Sequence, residues 1–336
     1  MGEFELLARI RERLPAGGPR IRLGSGDDAA ITVPEGATAT SVDALVDGIH
    51  FRRDDATPAQ IGHKALATAL SDLAAMGAEA GEAYAVLGLP GDFDEDECVE
   101  LLEGMLALAA DTGTSLAGGD MTRSPALFLA ITVVGHAPSP GELVSRAGAS
   151  PGDVVVLTGE LGGAAAGLEL LNNPRLGTDF AFSGAIGGEK TKSAVEGLVE
   201  RQLAPVPRLG AGQALALSGV TAMIDVSDGF GADARHLATA SGVKLEIEAE
   251  AVPLAPAAVA LSQAMGHDPW RLLGGGEDYE LLATVPPGQL DEAVDSVRNT
   301  EGIALTRVGE VVAGSGVEIR LPGGGLAKPG GFDQLA

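Results

Sequence analysis

Aspartates that stand beside glycine or serine recur along the chain, and they are the residues whose type and spacing could do chemistry. They lie in segments 26–29, 41–43, 71–72, 118–120 and 225–229. Aspartate holds its carboxylate close to the backbone, and small neighbours let a phosphate or a hydrated ion approach it. Such hard oxygen ligands suit Mg²⁺, which usually bridges carboxylates to substrate phosphates. One Asp–Gly pair is ordinary turn chemistry, but five such segments, expected at the ends of strands, indicate a site for magnesium and phosphate.

Asp72 is the most informative of these aspartates, because the sequence around it predicts a helix over residues 58–76. At about 100° per residue, Leu66, Leu70 and Leu73 form one stripe, which we expect to face the core. Asp72 falls off that stripe, on a face of alanine and threonine. A solvent-exposed face usually carries more glutamate and lysine, so the pattern favours a carboxylate that meets a ligand or a closely packed neighbour.

Familiar phosphate-binding and zinc motifs are absent from the sequence. A Walker A loop requires G-x-x-x-x-G-K-[ST], and segment 184–191 fails because Glu189 separates Gly188 from Lys190. No G-x-G-x-x-G joins a strand to a helix, and no His and Cys residues have zinc-binding spacing. The sequence therefore argues against P-loop, Rossmann and zinc chemistry.

The charge balance argues against two classes of partner, nucleic acid and membranes. The 336 residues carry 47 acidic and 22 basic side chains, with a net charge of −25 and a sequence pI of about 4.4. A field of this sign repels nucleic acid and anionic lipid, and the longest apolar run, 127–134, is far shorter than the roughly 20 residues that span a bilayer. Because Cys98 is the only cysteine and residues 1–14 resemble an amphipathic helix rather than a signal peptide, we expect a cytoplasmic protein.

The order of predicted elements indicates an α/β (α+β) fold with two domains. A proline- and glycine-rich linker, 138–152, separates a domain at 1–137 from one at 153–336. Strands are predicted at 37–43, 126–135, 153–158, 222–225, 244–248, 279–285, 306–311 and 317–321, and helices at 58–76, 95–110, 161–171 and 231–240. The apolar run at 126–135 predicts a buried central strand, and the polar, glycine-rich segment 172–191 predicts a mobile excursion.

Seven longer motifs follow one another along the chain. They are GDDAA at 26–30, SVDALVDGIHF at 41–51, KALATALSDLAAMGA at 64–78, GGDMTRS at 118–124, RAGASPGD at 146–153, IDVSDG at 224–229 and GGEDYELL at 275–282. Each motif is moderately specific, but the ordered set covers nearly the whole chain and is highly specific. On these motifs the sequence resembles the thiamine-monophosphate kinases of the aminoimidazole ribonucleotide synthetase superfamily.

The resemblance implies an ATP-dependent phosphorylation of thiamine monophosphate to thiamine diphosphate. It also implies a homodimer of two-domain chains with mixed sheets covered by helices. The N-terminal domain would dimerise and bind ATP and magnesium, and the C-terminal domain would carry a substrate-binding tail. Nucleotide would bind in a cleft shared with the partner's N-terminal domain. Because phosphate oxygens are nucleophiles at neutral pH, several Mg²⁺ ions and precise positioning would suffice for direct in-line transfer without a phospho-enzyme.

The resemblance assigns roles to residues position by position. The implied Mg²⁺ ligands are Asp28, Ser41, Asp43, Asp72, Asp120, Asp225 and Asp228. The implied ATP contacts are Gly119, Asp120, Arg146 and Ser227, with Arg146 assisting the transfer. The implied contacts to the thiamine phosphate are His50, Glu277 and Phe332. Phe332 would lie against the substrate rings or else anchor the tail, and Glu277 is expected to open a strand at a flexible edge.

Two features depart from the family pattern, and three other functions stay open. Val42 stands where relatives often carry threonine, which would remove a hydroxyl ligand, and the stretch before Gly118 lacks an aromatic that would pack near adenine. The alternatives are another ATP-dependent enzyme of the superfamily, a nucleotide-binding dimer without catalysis, and a purely structural dimer. Selenophosphate synthetase would need a reactive cysteine, whereas the acidic neighbours of Cys98 should raise the pKa of its thiol.

Overall fold

The chain divides into two compact units. The computed structural model describes residues 3–14, 17–25, 29–182, 189–327 and 330–331. Unit 1 comprises Met1–Leu73 and Ala78–Leu143, and unit 2 comprises Ala74–Gly77 and Val144–Ala336. Both contain mixed sheets and helices, so the predicted two-domain fold class is confirmed. None of the described helices is long and apolar enough to cross a lipid bilayer.

The described elements are a mixture of helices and strands, with α4 to α7 following one another without a strand between them. The helices are α1 (Glu3–Arg13), α2 (Pro58–Ala75), α3 (Glu95–Thr112), α4 (Gly163–Asn172), α5 (Pro174–Phe182), α6 (Glu189–Leu203), α7 (Leu209–Leu217), α8 (Phe230–Ser241), α9 (Pro256–Ala264) and α10 (Leu290–Glu301). The strands are β1 (Ile21–Leu23), β2 (Ile31–Thr32), β3 (Ala37–Val46), β4 (Glu79–Leu89), β5 (Ser115–Arg123), β6 (Phe128–Ala137), β7 (Val154–Thr158), β8 (Ala222–Asp225), β9 (Lys244–Glu248), β10 (Leu281–Val285), β11 (Leu305–Val312), β12 (Gly316–Arg320) and β13 (Leu326–Ala327). The predictions for β8 and β9 match to the residue.

A sheet of four strands lies at the centre of unit 1 within the described residues, in the order β3-β6-β4-β5. Strand β6 pairs antiparallel with β3 and β4, and β5 runs parallel to β4. The alternate side chains Leu129, Ile131 and Val133 of β6 are buried, as expected for one face of a strand. The predicted central strand is therefore confirmed.

Helices α2 and α3 pack against each other at glycines. A Cβ atom at Gly62 would lie 1.9 Å from the carbonyl oxygen of Leu101, and one at Gly104 would lie 1.9 Å from that of Ala59. A larger residue at either position would force the helices apart, because protein interiors are close-packed. The helix that carries Asp72 is therefore fixed against its neighbour.

Unit 2 is built on a sheet of seven described strands in the order β13-β12-β9-β11-β7-β10-β8. Neighbouring strands are antiparallel except β9 and β12, which are parallel. Strands β7 and β10 are buried along their whole length. Helix α8 packs on this sheet, with Phe230 and Leu237 in a core that includes Val155 and Ile224. The core holds the carboxyl end of β8, where Asp225 lies, in place.

The prediction of a mobile excursion at 172–191 is wrong where the structure describes this segment. Residues Pro174–Phe182 form α5, and α6 begins at Glu189. Phe180 is 2% exposed and lies in an apolar cluster with Leu170 and Leu198. One turn of helix separates Leu176 from Phe180, so their spacing is the helical signal that the polar, glycine-rich composition concealed.

Candidate active site

The clearest cluster of predicted site residues lies in unit 1, where β3 meets α2. Ser41 Oγ donates a hydrogen bond to Asp72 Oδ2. Burial, together with the negative charge of Asp72, raises the pKa of Asp43 to about 6, and the second cause requires the two carboxylates to lie near each other. The structure thus brings three predicted hard oxygen ligands together.

These three side chains fit magnesium without completing a site for it. In the part of the chain that the structure describes, no three His, Cys, Asp or Glu side chains are grouped so as to hold a metal ion. Asp43 and Asp72 repel each other, and a bound cation would relieve that repulsion. Mg²⁺ is commonly held by one or two carboxylates, with waters and substrate phosphates completing its shell. The donor set therefore suits Mg²⁺ that arrives with a phosphate.

Asp120 does not join this cluster. Strands β3 and β5 are separated by β6 and β4. Asp120 pairs with Val86, Val86 with Ala130, and Ala130 with Ala44. Paired residues share a face of the sheet, so Asp120 lies on the face of Ala44, opposite to that of Asp43. Asp43 and Asp120 also lie inside their strands, and the expectation that they stand at strand ends is wrong.

Val42 and Gly119 have structural explanations of their own. Val42 is 64% exposed, and by strand alternation its side chain lies on the face opposite to Ser41 and Asp43. A threonine hydroxyl at this position would therefore not reach the Asp43–Asp72 pair. A Cβ atom at Gly119 would lie 2.1 Å from the carbonyl oxygen of Ala85, so the approach of β4 to β5 requires glycine. Its contact with ATP stays a prediction.

His50 presents a hydrogen-bond donor that the described residues leave unused. The Val46 N–H donates to His50 Nδ1 over 3.1 Å, so in the neutral ring the proton is on Nε2. Nε2 is buried and has no hydrogen-bond partner within the described residues. Lys64 Nζ donates to the His50 carbonyl oxygen at 3.4 Å and holds the turn. An oxygen acceptor would satisfy this N–H, and the contact of His50 with the thiamine phosphate stays a prediction.

In unit 2, the turn after Asp225 is organised by Asp233, which sequence reasoning did not single out. The backbone N–H groups of Ser227, Asp228 and Gly229 all donate to Asp233 Oδ2 at 3.1 Å. Burial and the charge of Asp228 raise the pKa of Asp233 to about 7, although the three hydrogen bonds oppose the shift. These amides at the start of α8 are therefore not free for a phosphate. The side chains of Ser227 and Asp228 take no part in these three hydrogen bonds, and their contacts with ATP and Mg²⁺ stay predictions.

Glu277 lies in a constrained loop and does not open a strand, since β10 begins at Leu281. Glu277 has a φ of 67° and Tyr279 a φ of 51°, a left-handed region that residues other than glycine rarely adopt. The Glu277 N–H donates to the Ser227 carbonyl oxygen at 2.8 Å, and the Tyr279 N–H to that of Val226 at 2.9 Å. The prediction of a flexible edge is therefore wrong.

Asp278 anchors this loop to the first turn of α4. Its carboxylate accepts hydrogen bonds from the N–H groups of Gly162, at 2.8 Å, and Ala164, at 3.2 Å. Burial raises the pKa of Asp278 to about 7, although both hydrogen bonds oppose the shift. The position of Glu277 is thereby tied to a helix rather than to a mobile chain.

Glu280 provides a second anchor for the same loop. It is 2% exposed and accepts two hydrogen bonds from the Arg208 guanidinium, at 2.6 and 3.0 Å. Thr158 Oγ1 donates a third hydrogen bond, at 2.6 Å. A two-pronged arginine–carboxylate pair fixes geometry as well as charge, so the loop is held at both ends.

Arg146 combines a braced backbone with an exposed side chain. Ser241 Oγ donates to the Arg146 carbonyl oxygen at 3.0 Å and accepts from the N–H groups of Gly148 and Ala149 at 3.2 Å. The Arg146 residue itself is exposed. A guanidinium placed in this way can donate paired hydrogen bonds to a phosphate.

The predicted site and the described site overlap only in part. Asp28 and Phe332 lie outside the described residues, so their roles stay predictions. Conversely, sequence reasoning missed four groups that shape the loops: the buried Asp233 and Glu280, and the partly buried Arg208 and Asp278. An acidic residue in the first turn of a predicted helix was the available signal for Asp233, and the acidic run after three glycines was the signal for Asp278 and Glu280.

The chain is similar to known proteins over most of its length. The AIR synthase related protein family matches twice, its N-terminal domain at residues 26–137 and its C-terminal domain at residues 150–322. A thiamine-monophosphate kinase of Mycobacterium tuberculosis is 38% identical over 288 residues, which are 84% of this chain and 80% of that protein. The crystal structure of thiamine-monophosphate kinase from Stenotrophomonas maltophilia K279a superposes with a TM-score of 0.80 and 35% identity, and covers 97% of this chain and 98% of its own.

A further solved structure is AaThiL complexed with AMPPCP and TMP. It superposes with a TM-score of 0.75 at 28% identity and covers 98% of this chain and 96% of its own. The matched domains and the identity to a curated relative agree with the ordered motifs. The chain therefore belongs to the AIR synthase related proteins and, among them, to the thiamine-monophosphate kinase family.

Proposed function

We propose that the chain transfers the γ-phosphoryl group of ATP directly to the phosphate of thiamine monophosphate, giving ADP and thiamine diphosphate. Membership of the kinase family and the AaThiL complex with AMPPCP and TMP support these substrates. The observation in this chain that carries the proposal is the Asp43–Asp72 pair with the Ser41 hydroxyl. Two neighbouring carboxylates repel each other when both are ionised, so the pair is suited to bind cations that accompany phosphates.

Magnesium would be held in unit 1 by Ser41, Asp43 and Asp72. We propose Asp120, Asp225 and Asp228 as further ligands, together with Asp28. When bound, the ions would neutralise the charge that keeps two phosphates apart. The donor chemistry supports this assignment, because all of these groups are hard oxygen ligands.

Three side chains would act by positioning the two substrates. The Arg146 guanidinium would donate to phosphate oxygens, and the unpartnered Nε2–H of His50 would donate to the thiamine phosphate. Glu277 would face the cationic or amino-bearing part of thiamine, since its charge would repel a triphosphate. The acceptor phosphate needs no base, so orientation and charge stabilisation carry the rate.

A covalent enzyme intermediate on cysteine has no support. Cys98 is buried, and burial together with neighbouring carboxylates raises the pKa of its thiol to about 11. The expected direction of this shift is confirmed. A thiol of this kind is not a nucleophile at neutral pH.

We also propose a homodimer formed through the open face of the unit 1 sheet. This face carries Val42 and Val86, which are 64% and 37% exposed, and Ala130, which lies between Val86 and Ala44 across the sheet. Unpartnered apolar sheet faces are common sites of association. Asp120 lies on the same face, so its carboxylate would meet a partner subunit rather than Asp43 of its own chain. The active site would then be completed across subunits.

The test of function is incubation of the full chain with ATP, Mg²⁺ and thiamine monophosphate, with products identified by mass spectrometry. We expect equal amounts of ADP and thiamine diphosphate. ATP made chiral at its γ-phosphorus should give product of inverted configuration, because a single in-line transfer inverts phosphorus. Retention would overturn direct transfer, and ADP without thiamine diphosphate would overturn the acceptor.

The test of assembly is sedimentation velocity of wild-type chain and of Val42→Glu. We expect an active wild-type dimer and an inactive monomeric variant. Val206→Glu is the matched control, because Val206 is 57% exposed in unit 2, outside the proposed interface. A fully active wild-type monomer would overturn the shared site.

A further inference from the structure

The carboxylate of Glu277 is held by a side chain that lies far away in the sequence. Gln202, in the last turn of α6, donates from Nε2 to Glu277 Oε2 at 2.5 Å, across 75 residues of sequence. Gln202 is 3% exposed. A hydrogen bond to an ionised acceptor is roughly twice as strong as one between neutral groups, and burial shields it from competing water.

The orientation of the Gln202 amide is set by Glu277. The other end of the amide, Oε1, is buried and has no hydrogen-bond partner within the described residues. A buried acceptor without a donor is unfavourable. The reversed amide would place its oxygen against a carboxylate, which is worse. The Gln202 amide is therefore oriented by its hydrogen bond to the Glu277 carboxylate, although this orientation leaves Oε1 without a donor among the described residues.

The backbone that carries Gln202 is fixed by the helix that also fixes the Glu277 loop. A Cβ atom at Gly167 of α4 would lie 2.1 Å from the carbonyl oxygen of Leu198 and 3.0 Å from Gln202 Cβ, so α4 and α6 are in close contact. The first turn of α4 binds the carboxylate of Asp278, next to Glu277. One helix thus sets the positions of both donor and acceptor.

We propose that Gln202 is a positioning residue for thiamine monophosphate, which it serves by holding the Glu277 carboxylate in its binding orientation. This inference rests on the proposed function and on the proposed contact between Glu277 and the substrate. Without the amide, the carboxylate would lose this hydrogen bond, and its orientation would be less constrained. Binding of thiamine monophosphate would weaken, while binding of ATP would not.

The test compares wild-type chain with Gln202→Met, Glu277→Gln and the double variant. Methionine has nearly the shape of glutamine and no amide. Gln202→Met should raise KM for thiamine monophosphate roughly tenfold, as expected for one lost charge-assisted hydrogen bond, and leave KM for ATP within about twofold. In a chain that already carries Glu277→Gln, adding Gln202→Met should raise KM for thiamine monophosphate by less than about twofold. The reason is that Gln202 acts through the carboxylate, which this chain lacks. Calorimetric titration with thiamine monophosphate gives the same comparison without turnover.

Gln263→Met is the matched control, since Gln263 is exposed in α9, and both of its KM values should stay unchanged. If Gln202→Met fails to fold, Gln202→Glu keeps size and polarity, places a second carboxylate beside Glu277, and should raise the same KM. Unchanged KM for thiamine monophosphate, equal rises for both substrates, or a full tenfold loss in the Glu277→Gln background would each overturn the inference. Wild-type chain without turnover would instead overturn the proposed function, and this inference with it.

Discussion

In unit 1, Asp43 and Asp72 lie near each other, and the Ser41 hydroxyl donates a hydrogen bond to Asp72. In unit 2, Asp233 and Asp278 are surrounded by backbone N–H groups. Burial and the charge of a neighbouring carboxylate raise the pKa of Asp43, Asp233 and Asp278 alike, but backbone hydrogen bonds oppose the shift at Asp233 and Asp278. In the proposed function Asp43 would attract a cation, whereas Asp233 and Asp278 shape loops, and the difference lies in the hydrogen-bond donors around each carboxylate.

Asp72→Asn, in unit 1, is the variant that most directly tests the proposed difference between cation-binding and loop-shaping carboxylates. We expect turnover to fall by about 10²–10³-fold, the usual loss when one electrostatic group of an active site is removed. The free energy of unfolding should stay the same or rise, because the change relieves the repulsion with Asp43. Steady-state kinetics at saturating Mg²⁺ and thermal unfolding measure both effects. Asp111→Asn, at an exposed position of α3, is the control, and near wild-type turnover of Asp72→Asn would end the metal role.

The pH dependence of stability tests the loop-shaping role of Asp278 in unit 2. Its pKa is raised from 3.8 to about 7 by burial, so the folded chain binds this proton more tightly than the unfolded chain. Its contribution to stability is therefore fully present below about pH 3.8 and is lost as the pH rises through about 7. Relative to Asp278→Asn, wild-type chain should lose about 3 kcal/mol of unfolding free energy between pH 5 and pH 8.

Chemical denaturation at a series of pH values gives this difference directly. Asp295→Asn, an exposed residue of α10 paired with Arg298, should show a flat difference from wild-type chain over the same range. A flat difference for Asp278→Asn as well would mean that its carboxylate is not buried as described.

Asp233→Ala tests whether this carboxylate contributes to stability rather than to turnover, in contrast to Asp72. It removes the acceptor of three backbone N–H groups, so the free energy of unfolding should fall by about 2 kcal/mol. KM for ATP should rise several-fold as the Ser227 turn loosens, while turnover falls far less than in Asp72→Asn. Urea denaturation with Asp295→Ala as control measures the stability. A stable variant with abolished turnover would place Asp233 in the chemistry instead.

Val42→Thr should have the smallest effect. Val42 lies on the face of β3 opposite to Ser41 and Asp43, so a hydroxyl there gains no access to their cluster. In the assembled dimer we expect turnover and KM for ATP to change by less than about twofold, because the hydroxyl does not reach the Asp43–Asp72 pair. Titration of activity against Mg²⁺ checks this. If the variant needs clearly less Mg²⁺ than wild-type chain for half-maximal activity, the hydroxyl supplies a ligand.

The sequence predicted best what depends on neighbouring residues. Strand β8 is a short apolar run that ends at Asp225, strand β9 alternates charged and apolar residues, and the limits of both match the prediction to the residue. The helix around Asp72 followed from its leucine stripe, and α2 covers all but the last residue of the prediction. In both cases the periodicity lies within a single element, so no knowledge of distant contacts was needed.

Contacts between distant residues set what the sequence could not predict. The separation of Asp120 from Asp43 depends on strand order and on the face that each residue occupies. The strained backbone at Glu277 depends on Ser227, Gly162 and Gln202, which are remote in sequence. Local composition, with three glycines before Glu277, suggested flexibility, whereas tertiary hydrogen bonds impose one conformation. The motifs located the site, but the fold determined which of its members meet.

The occupied amides at the start of α8 have a consequence for how the enzyme would respond to its surroundings. Because Asp233 takes all three N–H groups and the chain carries a net charge of −25, ATP without magnesium would be repelled by the chain and would find no backbone N–H donors in the proposed contact at Ser227. Nucleotide would therefore enter as its complex with magnesium. At limiting magnesium, the rate should follow the concentration of that complex rather than total ATP, and an excess of uncomplexed nucleotide should add nothing. The buried carboxylate of Asp233 would thus make the synthesis of thiamine diphosphate depend on the concentration of magnesium in the cell.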